Sequence, residues 1–408
     1  MTYCIGILAV TFLTFLVYLI SKLADRATDT GVLSVLKLQY LVYGAIISFL
    51  FPRRFYVIYE SFSGPALMFC IAWVGLYFGC SLELREHRRF TRPSFLFHIL
   101  EPFVVFTIVA ISGIVYSYTG DGSSELVGTA FIVAFFCAIG ITDRLGHVSS
   151  EQIAPFHRIL NDFPPVRNVP AVAAFSIAII ALSGNYRFSL FHFDITGIIP
   201  FFLIHILFGV AFGILVSMLV NGARSRDAEV VVLAGITALI GGMSDVFLLS
   251  PLIVGIVTGA FLINSTLKRL QIIEAVTQTH TFVENAFLFL IGSLVTMRVV
   301  PGEISVGTVL GGALAIIVIR GTIAWVLAYF RVTRTVDYNK GTSALWAGLT
   351  GQDIIAAAAA VEYHFRFPQT TSVFLLMIVI TVMSRTIMST CCLEKRIHSE
   401  RSNHAERH

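Results

Sequence analysis

The chain is 408 residues long, 56% hydrophobic and 13% charged, with a formal net charge of +4. Soluble domains carry about 25% charged residues, so this composition excludes an ordinary globular enzyme, and the small net charge excludes the basic surface of a nucleic-acid binder. Apolar runs of about 20 residues recur along the whole chain, which predicts an all-α protein embedded in the lipid bilayer.

Taken in order, the runs predict about 13 spans, at roughly 4–20, 31–51, 64–82, 95–118, 126–144, 165–184, 196–220, 227–243, 247–264, 281–298, 305–330, 342–364 and 370–391. The first has no basic flank before it and no small-residue cleavage site after it, so it reads as a span and not a leader. A transmembrane domain of 1–391 and a short tail of 392–408 follow. The six cysteines form no disulfide framework and show no metal spacing: Cys70, Cys80 and Cys137 lie in or beside apolar runs, and Cys391 and Cys392 close the last one. No nucleotide-binding fingerprint occurs, which argues against direct ATP drive, and no cofactor is expected.

Lys and Arg fall unevenly about these spans. Of the 28, nineteen lie in the connections after odd-numbered spans and in the tail, and five on the other side. The positive-inside rule then puts the N-terminus outside and the tail in the cytoplasm of a multi-pass cell-membrane protein. Thirteen spans divide as six, one and six, and a single linker span makes the second unit enter the membrane from the opposite side.

Two spans, the fifth members of the two units, are interrupted. One carries Ala138-Ile-Gly-Ile-Thr-Asp143 and the other Ala347-Gly-Leu-Thr-Gly-Gln-Asp353. Gly beside a carboxylate at membrane depth needs a backbone that opens to line a cavity, and two such breaks in matching positions point to a carrier built from inverted repeats. Buried charge costs a few kcal/mol at the bilayer centre, so the ionisable residues inside spans are functional candidates. They are Glu101, Asp143, Arg167 with Asn168, Arg320, Gln352 with Asp353, and Arg385. Arg320 needs an anionic partner, for which Glu101 and Asp143 are the candidates. Asp245 and Glu284 read as interfacial, close to span ends.

Several stretches resemble the monovalent cation:proton antiporters, the sodium/proton exchanger superfamily. Gly79-Cys-Ser-Leu-Glu-Leu-Arg85 resembles a span ending in Gly-x-x-Leu-(Asp/Glu)-Leu-Arg, and Thr142-Asp143 resembles the Thr-Asp of the discontinuous helix. Leu249-Ser-Pro-Leu252, Phe287-Leu-Phe-Leu-Ile-Gly292 and Arg320 after four aliphatic residues are similar to later motifs of that family. The resemblance implies two inverted six-helix repeats with crossing broken helices, a scaffold of about 1–94 and 227–298, a core of about 95–184 and 305–391, and a linker span at 196–220. It also implies a homodimer that exchanges sodium or potassium for protons, with Thr142 and Asp143 at the ion site; Gln352 and Asp353 at the second break join the candidates by position, Gln352 standing near where the family usually has a basic residue.

The chain departs from the family where an ion-binding Asp should follow an Asp or Asn before a long apolar run. Either Arg167-Asn168 stands there, or Asn161-Asp162 does, with two prolines and Arg167 still to come. An amide releases no proton and an adjacent Arg repels cations. Arg167 then calls for a neutralising carboxylate, Asp162 or Asp143. Two other readings stay open on these residues: a transport-inactive membrane sensor or interaction protein, and a carrier of an anionic or organic solute.

Overall fold

The computed structural model of the chain describes residues 38–50, 56–83, 92–119, 124–140, 165–183, 187–190, 193–222, 225–266, 268–298, 306–332 and 352–385. Twelve α-helices lie among them, one for each of spans two to thirteen, and the first span lies outside the described residues. They are α1 (Leu38–Leu50), α2 (Tyr56–Cys80), α3 (Arg92–Thr119), α4 (Ser124–Ala138), α5 (Val169–Ser183) and α6 (Ile198–Gly222). The rest are α7 (Arg226–Phe247), α8 (Pro251–Ser265), α9 (Arg269–Arg298), α10 (Val306–Val332), α11 (Ile354–Arg366) and α12 (Thr371–Arg385). A 3-10 turn, Pro165–Asn168, leads into α5. Between α5 and α6 runs the one β element among the described residues, an antiparallel hairpin of β1 (Arg187–Leu190) and β2 (Phe193–Thr196).

Four stretches, Phe62–Cys80, Ile198–Gly222, Arg226–Phe247 and Gly307–Val326, are each long and apolar enough to cross a membrane. By contrast α4 has 15 residues and α11 has 13, short of the roughly 20 that a crossing needs. These two carry the predicted breaks, and α1, α5 and α8 are as short, with 13, 15 and 15 residues. The largest boundary correction falls on α9, which starts at Arg269 and not near 281. Its first turns mix charged and polar helix formers, so hydropathy misses them while propensity does not. Glu284 therefore sits in mid-helix and is buried, where the sequence reading made it interfacial.

The helices pack as two compact units, one formed from Met1–Cys80 with Arg187–Ser305, the other from Ser81–Tyr186 with Val306–His408. In the first unit α2 lies on α8 along a seam of glycines, Gly75 and Gly79 facing Gly255 and Gly259. A Cβ added to Gly79 would stand 2.9 Å from the Gly259 Cα and 2.8 Å from the Ala260 nitrogen. Small residues four apart let two backbones touch, the favoured way to join helices where lipid is as apolar as the side chains. The pairing of α1 with α9 repeats the device, with Gly44 on the Phe289 carbonyl and Gly292 on that of Leu41.

Between α7 and α8 the family-like Leu-Ser-Pro motif acts as a stop followed at once by a start. Leu248 takes a left-handed conformation (φ 55°), and Leu249 donates its N–H to the Ser244 carbonyl at 2.9 Å. Ser250 then accepts from the Ile253 N–H at 3.2 Å, with Pro251 in the first turn, where its missing N–H costs nothing. Near the other ends of these helices, Lys268 donates to the Val220 carbonyl at 3.2 Å and lies 3.7 Å from Glu229. Arg226 pairs with Glu274 at 2.9 Å. A flat stack of Tyr77 on His280, 3.6 Å between ring centroids, fills the α2–α9 contact.

In the second unit α3 packs along α4 and touches the 3-10 turn, α4 packs on α5, α10 lies against α3, and α11 against α5 and α4. Phe106 stacks on Phe135 at 4.2 Å to hold the α3–α4 pair. Pro102 inside α3 removes one rung of that helix's hydrogen-bond ladder directly after Glu101.

Candidate ion site at the helix breaks

The candidate site lies within the second unit, where α4 ends. The N–H of Ile139 reaches back to the Phe136 carbonyl at 3.1 Å, a tightened last turn, and the helix goes no further. Its next free peptide is taken by a side chain. Gly140 donates its N–H to Asn168 Oδ1 at 3.0 Å, and Asn168 Nδ2 donates to the Gly140 carbonyl at 2.8 Å. One amide thus satisfies both the N–H and the carbonyl of one residue, which a carboxylate, having no donor when ionised, cannot do. Asn168 is fully buried, so the clamp competes with no solvent.

Arg167, the preceding residue, turns its guanidinium onto Gly140. A Cβ there would stand 2.7 Å from the Arg167 Cζ and 3.1 Å from its Nε. That Nε lies 3.1 Å from Glu101 Oε2, and the two side chains are 1% and 3% exposed. A pair this deep survives only because each charge offsets the cost of burying the other. Arg320, buried on α10, lies within electrostatic reach of Glu101, Arg167 and Cys137. The structure therefore brings together Glu101, Arg167, Asn168 and Arg320. Arg167 lies against Glu101 of α3, while Asp162 and Asp143, the partners that the sequence suggested, lie outside the described residues.

The second break meets the first through Gln352. Its Nε2 donates to the Phe136 carbonyl at 3.1 Å, adding a bond at the frayed end of α4. Its Oε1 accepts from Thr381 Oγ1 on α12 at 3.4 Å. Asp353 is buried as the N-cap of α11, with Oδ1 accepting from the Ile354 N–H at 2.6 Å. The carboxylate sits at the positive end of that half-helix. Thr142, Asp143 and Asp162 lie outside the described residues. Thr381 escaped the sequence reading because a lone Thr in an apolar span is an ordinary residue there. Its signal is only that it faces Gln352.

Gln352→Leu removes both of these bonds, leaving the Phe136 carbonyl with the Ile139 N–H alone and Thr381 with the Met377 carbonyl. The expected loss of stability is about 1–3 kcal/mol, read as a lower thermal midpoint in detergent. An unchanged midpoint would take Gln352 out of the α4 cap.

The end of α4 carries carbonyls and the negative end of a helix dipole, an arrangement that favours a cation. The cation found there is a guanidinium of the chain itself. No protein-family model matches the chain, and no curated protein matches it. Among solved structures it is similar to the sodium proton antiporter MjNhaP1 from Methanocaldococcus jannaschii, with 12% identity and a TM-score of 0.59. The likeness covers 95% of this chain and 96% of that one.

Proposed function

We propose that this chain, which has the sodium/proton antiporter fold, is a secondary active transporter exchanging a monovalent cation, sodium or potassium, for protons by alternating access. The observation that supports this reading best is the junction of two interrupted helices, where Gln352, just before α11, caps the Phe136 carbonyl at the end of α4. Helix ends that meet inside a membrane protein offer a binding position that neither end supplies alone. In this reading the second unit carries the ion and the first is the stationary scaffold and dimer interface. The N-terminus faces outward, the tail lies in the cytoplasm, and Asp143, Asp353 and Thr142 complete the ion site.

The test is a proteoliposome assay with an imposed pH gradient, scanning sodium, potassium and lithium. Exchange of one of these for protons is the expected result, and Asp143→Asn, which keeps shape and removes charge, is expected to abolish it. A folded Asp143→Asn protein that exchanges at the parent rate would falsify the assignment of that carboxylate. Two buried arginines near one carboxylate favour a second reading, a carrier of an anionic solute. Vesicles that take up an organic anion and ignore all three cations would decide for it.

A further inference from the structure

We infer that Arg167 is a resident cation of the carrier, a guanidinium tethered to the chain that holds the place beside Gly140 and neutralises Glu101. Glu101 is then an ion-binding carboxylate that the protein has already loaded with its own charge.

Three observations lead there. First, a carboxylate buried to this depth needs a proton, a bound cation or a cationic side chain as partner, and Arg167 Nε at 3.1 Å is that partner. Second, the guanidinium stands where the end of α4 favours positive charge, in space that exists because residue 140 has no side chain. Third, the neighbouring Asn168 pins Gly140 by both its N–H and its carbonyl, which fixes where Arg167 can reach. The charged and titratable groups around Glu101, from the described elements packed against α3, are Arg167 of the 3-10 turn and Arg320 of α10. Beyond Arg320 lies Cys137 of α4.

The consequence concerns coupling. A carrier that returns without its cargo must cross with its buried carboxylates neutralised, and in an exchanger protons do this. Here Arg167 does it for Glu101, so the chain uses one proton fewer than its buried carboxylates would otherwise require. The transport half of this inference rests on the carrier reading above; the proton-binding half does not.

The experiment uses the full chain in three forms: parent, Arg167→Gln, and Arg167→Gln with Glu101→Gln. Proton uptake is measured in detergent on acidification across the neutral range. Arg167→Gln is expected to take up about one proton more per chain than the parent, and the double variant to return to the parent value. In vesicles the flux of Arg167→Gln should gain one further order in proton concentration, about tenfold per pH unit, again lost in the double variant. If Arg167→Gln does not fold, Arg167→Met, which keeps a long side chain and brings no titratable group, replaces it: one extra proton is expected, removed when Glu101→Gln is added.

Equal uptake in parent and single variant would overturn the inference. So would an extra proton that persists when Glu101 is gone. A parent that moves no cation in vesicles, with the uptake difference intact, would sink the carrier reading and leave the resident cation standing.

Discussion

Gly140→Ala is expected to lower cation flux at least about a hundredfold while the chain still folds, the scale of loss that follows from misplacing a site by about 1 Å. The added methyl would lie against the Arg167 guanidinium, 2.7 Å from Cζ. The far end of an arginine is flexible in general, but this one is 1% exposed and bound to Glu101, so it has no solvent to retreat into. Either the ion pair opens or Gly140 leaves the Asn168 clamp, and both displace the backbone just beyond α4. The helices themselves lose nothing, since Gly140 lies beyond the last residue of α4. Flux is read as sodium or potassium uptake into vesicles, and folding as an unchanged elution profile in detergent. Parent-like flux would show that the guanidinium can be moved at no cost, which would also weaken the case for Arg167 as a fixed occupant.

Gly259→Val is expected to remove the folded protein altogether. Its Cβ would meet the Leu76 carbonyl, with the Cys80 nitrogen at 2.9 Å and the Gly79 Cα at 3.0 Å. These are main-chain atoms of α2, which cannot swing aside as a side chain can. The two helices must part along the whole seam, and overpacking of this kind costs upward of about 3 kcal/mol. Gly235 supplies the contrast within the same unit, since nothing lies within 4 Å of a Cβ built there. Gly235→Ala is expected to be neutral or to stabilise α7 by up to about 1 kcal/mol through helix propensity. Thermal midpoints in detergent compare the two. A Gly259→Val protein with the parent midpoint would mean that the seam is looser than its geometry.

Much of the fold could be read in the sequence because the bilayer imposes a length on every apolar run. The twelve described helices follow the predicted spans, and the two predicted breaks fall at the end of α4 and just before α11. What escaped had other causes. The start of α9 at Arg269 is invisible to hydropathy, because a helix outside the hydrocarbon is held by propensity and packing. Arg385, the last described residue of α12, is half-buried.

The site was legible as a set of residues more than as a set of contacts. Arg167 calls for a carboxylate, and the two that the sequence offers, Asp162 and Asp143, lie outside the described residues. Glu101, which the structure supplies, is related to Arg167 by no helical or strand spacing. Asn168 looked like a carboxylate lost from an ion site. Its two bonds to Gly140 show what an amide does at this place that an acid does not.

The Lys268 and Arg226 contacts bear on how the protein meets its membrane. Both residues belong to the basic excess that orients the chain as it is inserted, when charges are counted one segment at a time. After folding, Lys268 is turned to the Val220 carbonyl and Glu229, and Arg226 to Glu274. That charge now ties α6, α7 and α9 together, and less of it is left for lipid phosphates. Anionic headgroups on that face should therefore bind this unit more weakly than its sequence suggests, and changing their proportion should move its stability little.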